Sequence, residues 1–322
     1  MFLLLLLAVL VIVTVAWVVL CVFTRPYPNI VTFPEENFYT DPKTGEKKRF
    51  TSIDDPSSVS LSVIVPAYNE ETRLPVMLDE CLDFLEKQLN ADPRQTFEVI
   101  IVDDGSSDKT TDIAQKYALK FGTDKLKVLT LVKNRGKGGA VRLGMLRARG
   151  KRLLFADADG ATKFSELTKL QSRMDTLSSD QHDGDKVLAL VCGSRAHLEE
   201  EAIASRSLFR TILMKGFHLL VWFFCVRTIR DTQCGFKLLS RSAAKTLFRS
   251  IHIERWAFDV ELLFVAEKLK VPLAEVAVKW TEIDGSKVTP FWSWLQMGRD
   301  LVLIWLRYFS GAWRIAEETK SK

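Results

Sequence analysis

Short apolar runs alternate with helical patterns between residues 59 and 156. The apolar runs are rich in Val, Ile and Leu, whereas the intervening segments repeat their apolar positions every three or four residues; these patterns are typical of buried strands and amphipathic helices. The predicted elements are strand Leu61–Val65, helix 72–89, strand Phe97–Val102, helix 108–121, strand Leu126–Val132, helix 137–149 and strand Arg152–Ala156. This alternation predicts an α/β fold with a mostly parallel sheet flanked by helices on both faces.

Residues 2–23 follow a different pattern, because they contain no charged side chain and the first charge is Arg25. A helix of this length spans about 33 Å, which exceeds a hydrocarbon core of about 30 Å. No basic residue precedes the run and no small-x-small cleavage site ends it, so a retained anchor is favoured over a cleaved signal peptide. We therefore predict an N-terminal transmembrane helix, a signal anchor, over residues 1–24.

The polar residues beyond the anchor predict its orientation and a spacer. The basic side chains that follow it are Arg25, Lys43, Lys47, Lys48 and Arg49. By the positive-inside rule they place the large C-terminal part in the cytosol. Five cysteines without CxxC spacing fit a reducing compartment. Residues 25–58, with their prolines, predict a linker, and the polar residues 172–186 predict an exposed loop.

Composition and charge narrow the class of protein. Of the 322 residues, 26% are charged and 47% are hydrophobic, which excludes a disordered chain and a polytopic transporter. The net charge of +5 is uneven, because residues 205–322 carry 19 basic and 11 acidic side chains, a net +8. The preceding residues therefore carry a net −3, and the sequence divides into a slightly acidic part and a basic part.

A polar motif follows each of the four predicted strands. The motifs are VPAYNE (65–70), VDDGS (102–106), NRGKGG (134–139) and ADADG (156–160). Each alone is typical of a solvent-exposed turn. However, the carboxyl ends of parallel strands meet at one edge of a sheet, where open α/β proteins bind ligands. We therefore expect one shared site, in which the carboxylates of Asp157 and Asp159 suit Mg²⁺ or Mn²⁺.

The glycine-rich segment 136–139 differs from two common phosphate-binding loops. A GxGxxG reading places Val141 at the sixth position, and a P-loop reading places Gly138 where Ser or Thr is required. These departures disfavour a nicotinamide dehydrogenase and a P-loop NTPase. Arg135 and Lys137 remain candidates to face an anionic ligand.

The motifs VPAYNE, VDDGS and DAD, at these intervals, resemble the nucleotide-sugar domain of the GT-A glycosyltransferases of family 2. The later segments GSR (193–195), DTQCGFK (231–237) and WAFDVEL (256–262) resemble the polyprenyl-phosphate sugar transferase branch of that family. The resemblance implies a GT-A fold, Mg²⁺ or Mn²⁺ as cofactor, and transfer of glucose from UDP-glucose to dolichyl phosphate with inversion. It also implies that residues 59–204 form the nucleotide-sugar-binding part.

The resemblance implies roles for individual residues. The nucleotide-sugar-binding residues would be Pro66, Tyr68, Glu70, Val102, Asp104, Lys137, Asp157, Ala158, Arg195 and Gln233. Among these, Asp104 would contact the uracil and Val102 would flank it. Asp159, with Asp157, would ligate the metal, while Ala161 replaces a glutamine that assists in mannosyl relatives. Asp259 matches the position of a catalytic base, but a phosphate acceptor needs none, so catalytic and structural roles both stay open.

Arginines and aromatic residues accumulate in the basic part. Residues 205–230 contain Arg206 and Arg210 but no acidic residue, and 291–313 again combine aromatics with arginines, as membrane-interface segments do. We therefore predict an acceptor-binding and membrane-interface part over 205–322, with C-terminal interfacial helices. Arg206 and Arg210 would be catalytic by positioning the acceptor phosphate. A buried core helix with arginine ends is the alternative for the first segment.

Three functions remain open at the level of sequence. The first is glucosyl transfer at the endoplasmic reticulum membrane by a single-pass protein with a cytosolic catalytic domain. The second is the same chemistry with GDP-mannose or another sugar nucleotide, and the third is a non-catalytic membrane scaffold. The intact Asp-x-Asp pair counts against the scaffold. The upstream anchor favours a lipid bilayer over nucleic acid as partner, and the sequence indicates no oligomeric state.

Overall fold

The structure is a computed structural model, in which residues 11, 14–15, 17–19, 21–22, 24–179, 187–198, 216, 218–283 and 292–315 are described. Arg206 and Arg210 lie outside the described residues, as do 180–186 of the predicted loop and most of the predicted anchor. The described residues among 11–22 are helical. Across the described ranges, no helix combines the length and apolar character needed to cross a bilayer, and the anchor stays a prediction.

The described elements alternate between strand and helix along the central part of the chain. The strands are β1 (Phe38–Thr40), β2 (Lys47–Arg49), β3 (Val59–Ala67), β4 (Phe97–Asp103), β5 (Leu126–Thr130), β6 (Gly150–Ala156), β7 (Leu190–Ser194), β8 (Phe236–Ser240) and β9 (Leu273–Ala277). The α-helices are α1 (Leu74–Ala91), α2 (Thr110–Phe121), α3 (Lys137–Met145), α4 (Leu167–Ser179), α5 (Arg241–Ser250), α6 (Phe258–Lys268) and α7 (Trp292–Phe309).

Seven strands form the central sheet in the order β5-β4-β3-β6-β8-β7-β9. Strand β3 pairs in parallel with β4 and β6, β4 with β5, and β7 with β9. Strand β8 is antiparallel to both of its neighbours. The predicted mostly parallel sheet is therefore confirmed, and the carboxyl ends of β3, β4, β5 and β6 lie at one edge.

Both faces of the sheet are covered by helices, as predicted. On β3, Val63 and Val65 contribute to the apolar cluster that contains α1, α2 and α4. Ile64, between them in sequence, contributes to the cluster on the other face, which contains α3, α5 and α6. The two-residue period of the strand produces this division. Because both sets are fully buried, the strand appears in the sequence as a continuous apolar run.

Residues 25–58 pack against the domain, contrary to the predicted linker. They contain the strands β1 and β2, and Phe50 and Ile53 are buried in the core. The carboxylate of Glu36 is fully buried, where it accepts a hydrogen bond from Val132 N (3.1 Å) and pairs with Arg135 (3.1 Å). A buried carboxylate with these partners fixes the segment in place.

Residues 172–179, predicted as part of an exposed loop, form the second half of α4. Their Ser-rich composition concealed the helical spacing of Leu167, Leu170 and Met174, which are all buried. The prediction was wrong here because a helix that buries one narrow apolar stripe needs few apolar residues.

Candidate active site

A cleft of about 710 Å³ opens at the carboxyl edge of the sheet. The predicted site residues that line it are Pro66, Tyr68, Glu70, Asp104, Lys137, Asp157, Ala158, Asp159, Arg195, Gln233 and Asp259. They lie at the end of β3, follow β3, β4 and β6, or lie on α3, on α6 and on the segments flanking β7 and β8. The fold therefore brings together residues that are nearly 200 positions apart in the chain.

Val102, predicted to flank the uracil, is absent from the lining of the cleft. Its side chain is fully buried on β4 and faces α3, where Gly144 leaves room for it. The alternation of the strand places Val102 on the face of the sheet rather than at its edge. The side chain of Val102 therefore does not line the cleft, and its place beside the uracil stays a prediction.

Asp104 shapes the glycine-rich loop between β5 and α3. One of its carboxylate oxygens accepts a hydrogen bond from Arg135 N (2.7 Å) and the other from Gly136 N (2.8 Å). Gly136 has a φ of +81° and lies against the carbonyl of Glu254, so a side chain would not fit. Burial raises the pKa of Asp104 to about 6, although the two backbone donors lower it. Asp104 thus holds the loop and lines the cleft.

Asp157 and Asp159 lie together just beyond β6, and their environment fits a divalent cation. Burial raises the pKa of Asp159, and the negative charge of Asp157 raises it further. Two carboxylates that repel each other attract a cation. No group of three or more His, Cys, Asp and Glu side chains that could enclose a metal occurs within the described ranges. The pair therefore suits a metal whose other ligands come from a substrate diphosphate, as Mg²⁺ commonly binds.

Two lysines of the active-site region pair with aspartates. Lys137 Nζ lies 2.6 Å from Asp157 Oδ1, and Lys237 Nζ lies 2.6 Å from Asp259 Oδ1. Lys237 is fully buried and also donates to the carbonyls of Thr232 (3.1 Å) and Cys234 (2.6 Å). Burial lowers the pKa of Lys237, but the charge of Asp259 and the hydrogen bond to it, together with the neighbouring thiols of Cys192 and Cys234, outweigh the effect of burial and the pKa is raised. Lys237 is thus an ammonium group whose three donors all have acceptors.

Arg195 is fixed in the cleft by a forked ion pair. Its guanidinium donates to both carboxylate oxygens of Asp231, at 2.8 and 2.9 Å, and lies 5.2 Å from the ring centroid of Trp280. Burial lowers the pKa of Arg195, but the bonds to Asp231 outweigh it and the pKa lies above its ordinary value. Nearby, Nε2 of Gln233 is buried without a hydrogen-bond partner in the described structure. An unpaired buried donor beside a cleft is suited to a ligand oxygen.

The opposite side of the cleft carries a second forked pair. Both carboxylate oxygens of Glu70 accept hydrogen bonds from Arg73, each at 2.7 Å. Tyr68 is 41% exposed at the mouth of the cleft, where its ring can cover a flat base. The side of the cleft that is predicted to bind the nucleotide therefore carries a fixed ion pair and an accessible aromatic ring.

Sequence reasoning missed Arg73 and Trp280, which line the cleft, and the buried Lys237, which pairs with Asp259. Arg73 is the residue immediately before α1. Trp280 forms a β-bridge with Thr162, close to the aspartate pair. Lys237 lies inside strand β8. Only Lys237 had a visible signal, as a lysine within a strand that is otherwise apolar. Trp280 and Arg73 reach the cleft through the tertiary fold, which the local sequence pattern does not reveal.

Gly235 provides a test of the aspartate geometry. A Cβ atom at Gly235 would collide with the carboxylate of Asp157, so Gly235→Ala is expected to displace Asp157 and to lower any activity that depends on the aspartate pair at least about 10²-fold. Steady-state kinetics measures the loss. Gly298→Ala on α7 is the matched control, because nothing lies within 4 Å of its new Cβ. Equal activity in both variants would contradict a role for the position of Asp157.

Comparison with known proteins places this cleft in context. The model of "Glycosyl transferase family 2" matches residues 62–248. The dolichyl-phosphate beta-glucosyltransferase of Drosophila melanogaster is 60% identical over 299 residues, covering 93% of this chain and 90% of the fly protein. The human protein of that name is 57% identical over 293 residues, covering 91% of this chain and 89% of its own length.

A likeness to a solved structure extends only to the fold. The mannosyl-3-phosphoglycerate synthase from Rubrobacter xylanophilus superposes with a TM-score of 0.53 at 17% identity, covering 82% of this chain and 79% of the synthase. Together with the family match, this supports a GT-A-like α/β fold with a mostly parallel central sheet.

Proposed function

The chain belongs to glycosyl transferase family 2 and, within it, to the dolichyl-phosphate β-glucosyltransferases, and we propose that it transfers glucose from UDP-glucose to dolichyl phosphate with inversion. The observation that carries the donor side is the cleft, in which an aspartate pair and two fixed basic side chains converge. A nucleoside diphosphate combines a flat base with a dense negative charge. The ring of Tyr68 can cover the base, while Lys137 and Arg195 can pair with the negative charge of the diphosphate.

The leaving UDP would be stabilised by groups that are already in position. Lys137 and Arg195 are each oriented by a carboxylate, Asp157 and Asp231 respectively. Because these ion pairs exist before the substrate binds, the two basic side chains need little reorganisation when negative charge develops on the leaving UDP. Asp159 and Asp157 would hold Mg²⁺ or Mn²⁺. When bound, such an ion supplies charge neutralisation for the departing diphosphate.

The acceptor requires positioning more than activation. A phosphate monoester with a second pKa near about 6 is largely dianionic at pH 7, so it is already a nucleophile. Asp259 therefore need not act as a base, and its ion pair with Lys237 (2.6 Å) suits an electrostatic role instead. The charge of Asp259 also raises the pKa of Lys137, and we assign Asp259 to keeping both Lys237 and Lys137 charged beside the cleft. The positioning role of Arg206 and Arg210 stays a prediction.

An exposed apolar surface supports work at a membrane. Residues 219–223 expose the side chains of Leu219, Trp222 and Phe223, and α7 exposes those of Leu306 and Phe309. The ring of Trp305 links the two segments, since it contacts Phe224 (5.6 Å) and stacks on Phe309 (5.1 Å). An exposed apolar patch with arginines beside it is typical of a surface that binds at a bilayer interface. We propose that these helices lie on the cytosolic face of the endoplasmic reticulum membrane, next to the predicted anchor.

The stereochemistry of the product tests the proposed displacement. The purified full chain is incubated with UDP-glucose, Mg²⁺ and dolichyl phosphate, and the anomeric configuration of the lipid product is determined by NMR. Direct attack on the α-linked donor predicts the β-anomer. An α-linked product would exclude a single displacement in this cleft.

A further inference from the structure

A second cavity, of about 550 Å³, lies between the segment after the predicted anchor and the end of α7. Its charged lining consists of Arg25, Arg142, Arg255, Arg307 and Glu254, together with the ring of His252. Glu254 pairs with Arg142 at 3.2 Å. Four arginines against one carboxylate leave three guanidinium groups without an acidic partner in this lining. The cavity is therefore a concentrated positive site.

The guanidinium of Arg307 is held in place and has a donor available for an anionic ligand. Its guanidinium lies 4.7 Å from the ring centroid of Trp313, and this ring stacks on His252 at 4.1 Å. The Nε atom of Arg307 is buried and has no hydrogen-bond partner in the described structure. A buried unpaired donor is costly, whereas a phosphate oxygen would satisfy it. Guanidinium groups bind phosphate through parallel hydrogen bonds, so the chemistry of the cavity matches a phosphate group.

The position of the cavity indicates where the phosphate comes from. Pro26 O accepts a hydrogen bond from Arg314 N (2.7 Å), and Trp17 Nε1 donates to Ser310 O (2.8 Å). These contacts hold the end of the apolar run 2–23 against the end of α7. Arg25, the first charge after that run, lines the cavity. If the run lies in a bilayer, the cavity lies at the level of the lipid headgroups.

We propose that this cavity binds the phosphate of a lipid headgroup, at a site separate from the transfer cleft. Arg255 is the one residue that lines both cavities among the described residues. The neighbouring Glu254 O accepts a hydrogen bond from Gly139 N (2.9 Å) in the glycine-rich loop. A headgroup here would thus fix the domain on the membrane beside the loop that shapes the cleft. The phosphate chemistry of this site does not depend on glucosyl transfer.

Calorimetry on the full chain in neutral detergent tests this site, with saturating UDP present to occupy the donor side of the transfer cleft. The probes are dihexanoyl phosphatidate and inorganic phosphate. Arg307→Gln is expected to weaken phosphatidate binding by about 10- to 100-fold, the effect of a lost charge-assisted hydrogen bond. Arg314→Gln is the matched control, because it removes the same charge from an exposed neighbour outside the cavity lining.

Two results would overturn the proposal. The first is that neither probe shows saturable binding. The second is that both variants weaken phosphatidate binding equally, which indicates a diffuse electrostatic attraction and not a defined site. Tighter binding of phosphatidate than of inorganic phosphate supports the lipid source, and equal binding refutes that source. If the melting temperature shows that Arg307→Gln is unfolded, the exposed Arg25→Gln replaces it. Because binding is measured without turnover, failure here is distinct from failure of the transferase assignment.

Discussion

Replacement of Asp159 by Ala is expected to lower kcat for glucosyl transfer by about 10²- to 10³-fold or more, the effect of losing a preorganised electrostatic group at a charged leaving group. Burial and the charge of Asp157 raise the pKa of Asp159, and Asp157 already pairs with Lys137, so Asp159 is the carboxylate whose charge a bound metal ion would neutralise. Removal of one carboxylate abolishes that cation site. Steady-state kinetics over a Mg²⁺ titration measures both the loss of kcat and the loss of metal response.

The matched control for Asp159 is Asp83→Ala on α1. The carboxylate of Asp83 is 64% exposed and pairs with Lys87, and exposed pairs of this kind contribute little to stability. This variant is expected to retain its activity and its metal response. If Asp159→Ala keeps more than about a tenth of the activity at saturating metal, the assignment of Asp159 is wrong.

Lys237→Met is expected to lower the free energy of unfolding by about 3–5 kcal/mol, because it leaves Asp259 as a buried charge without its partner. Lys237 has no solvent exposure, and its Nζ lies 2.6 Å from Asp259. It also donates to two backbone carbonyls, which would lose their donor. Chemical denaturation of the full chain in detergent, followed by tryptophan fluorescence, measures the change.

The double variant Lys237→Met/Asp259→Leu separates the structural role of this pair from its role in transfer. Replacing a buried ion pair with apolar side chains of similar volume often restores stability. We therefore expect the double variant to unfold much closer to the unchanged chain than Lys237→Met alone. Transfer should nevertheless stay impaired, because Lys137 loses a charge that holds it. Full activity in a stable double variant would show that Asp259 has only a structural role.

The half of the sheet that carries the nucleotide motifs was predictable from the sequence. Strands β3 to β6 are buried on both faces over most of their length, so each appears as a mainly apolar run, and a polar motif marks the carboxyl end of each. Parallel strands place those ends at one edge. The positions of Asp104, Asp157 and Asp159 in one cleft follow from this rule alone.

The rest could not be predicted, because it depends on contacts between distant segments. Strand β8 contains Lys237, whose burial is possible only because Asp259 lies 22 residues further on and beside it in the fold. Similarly, Glu36 is buried by contacts with residues near 132–135, so a polar segment became part of the domain. Sequence patterns identify buried positions by their hydrophobic residues. They therefore miss a charged residue that is buried together with a tertiary partner.

Transfer of radiolabelled sugar to dolichyl phosphate, with UDP-glucose and GDP-mannose supplied side by side to the purified full chain, tests the account most directly. The Asp159→Ala variant is measured in the same assay, next to a blank without enzyme. We expect a labelled lipid product from UDP-glucose, in a reaction that depends on Mg²⁺ or Mn²⁺. A product from GDP-mannose alone, or no product from either donor, would contradict it.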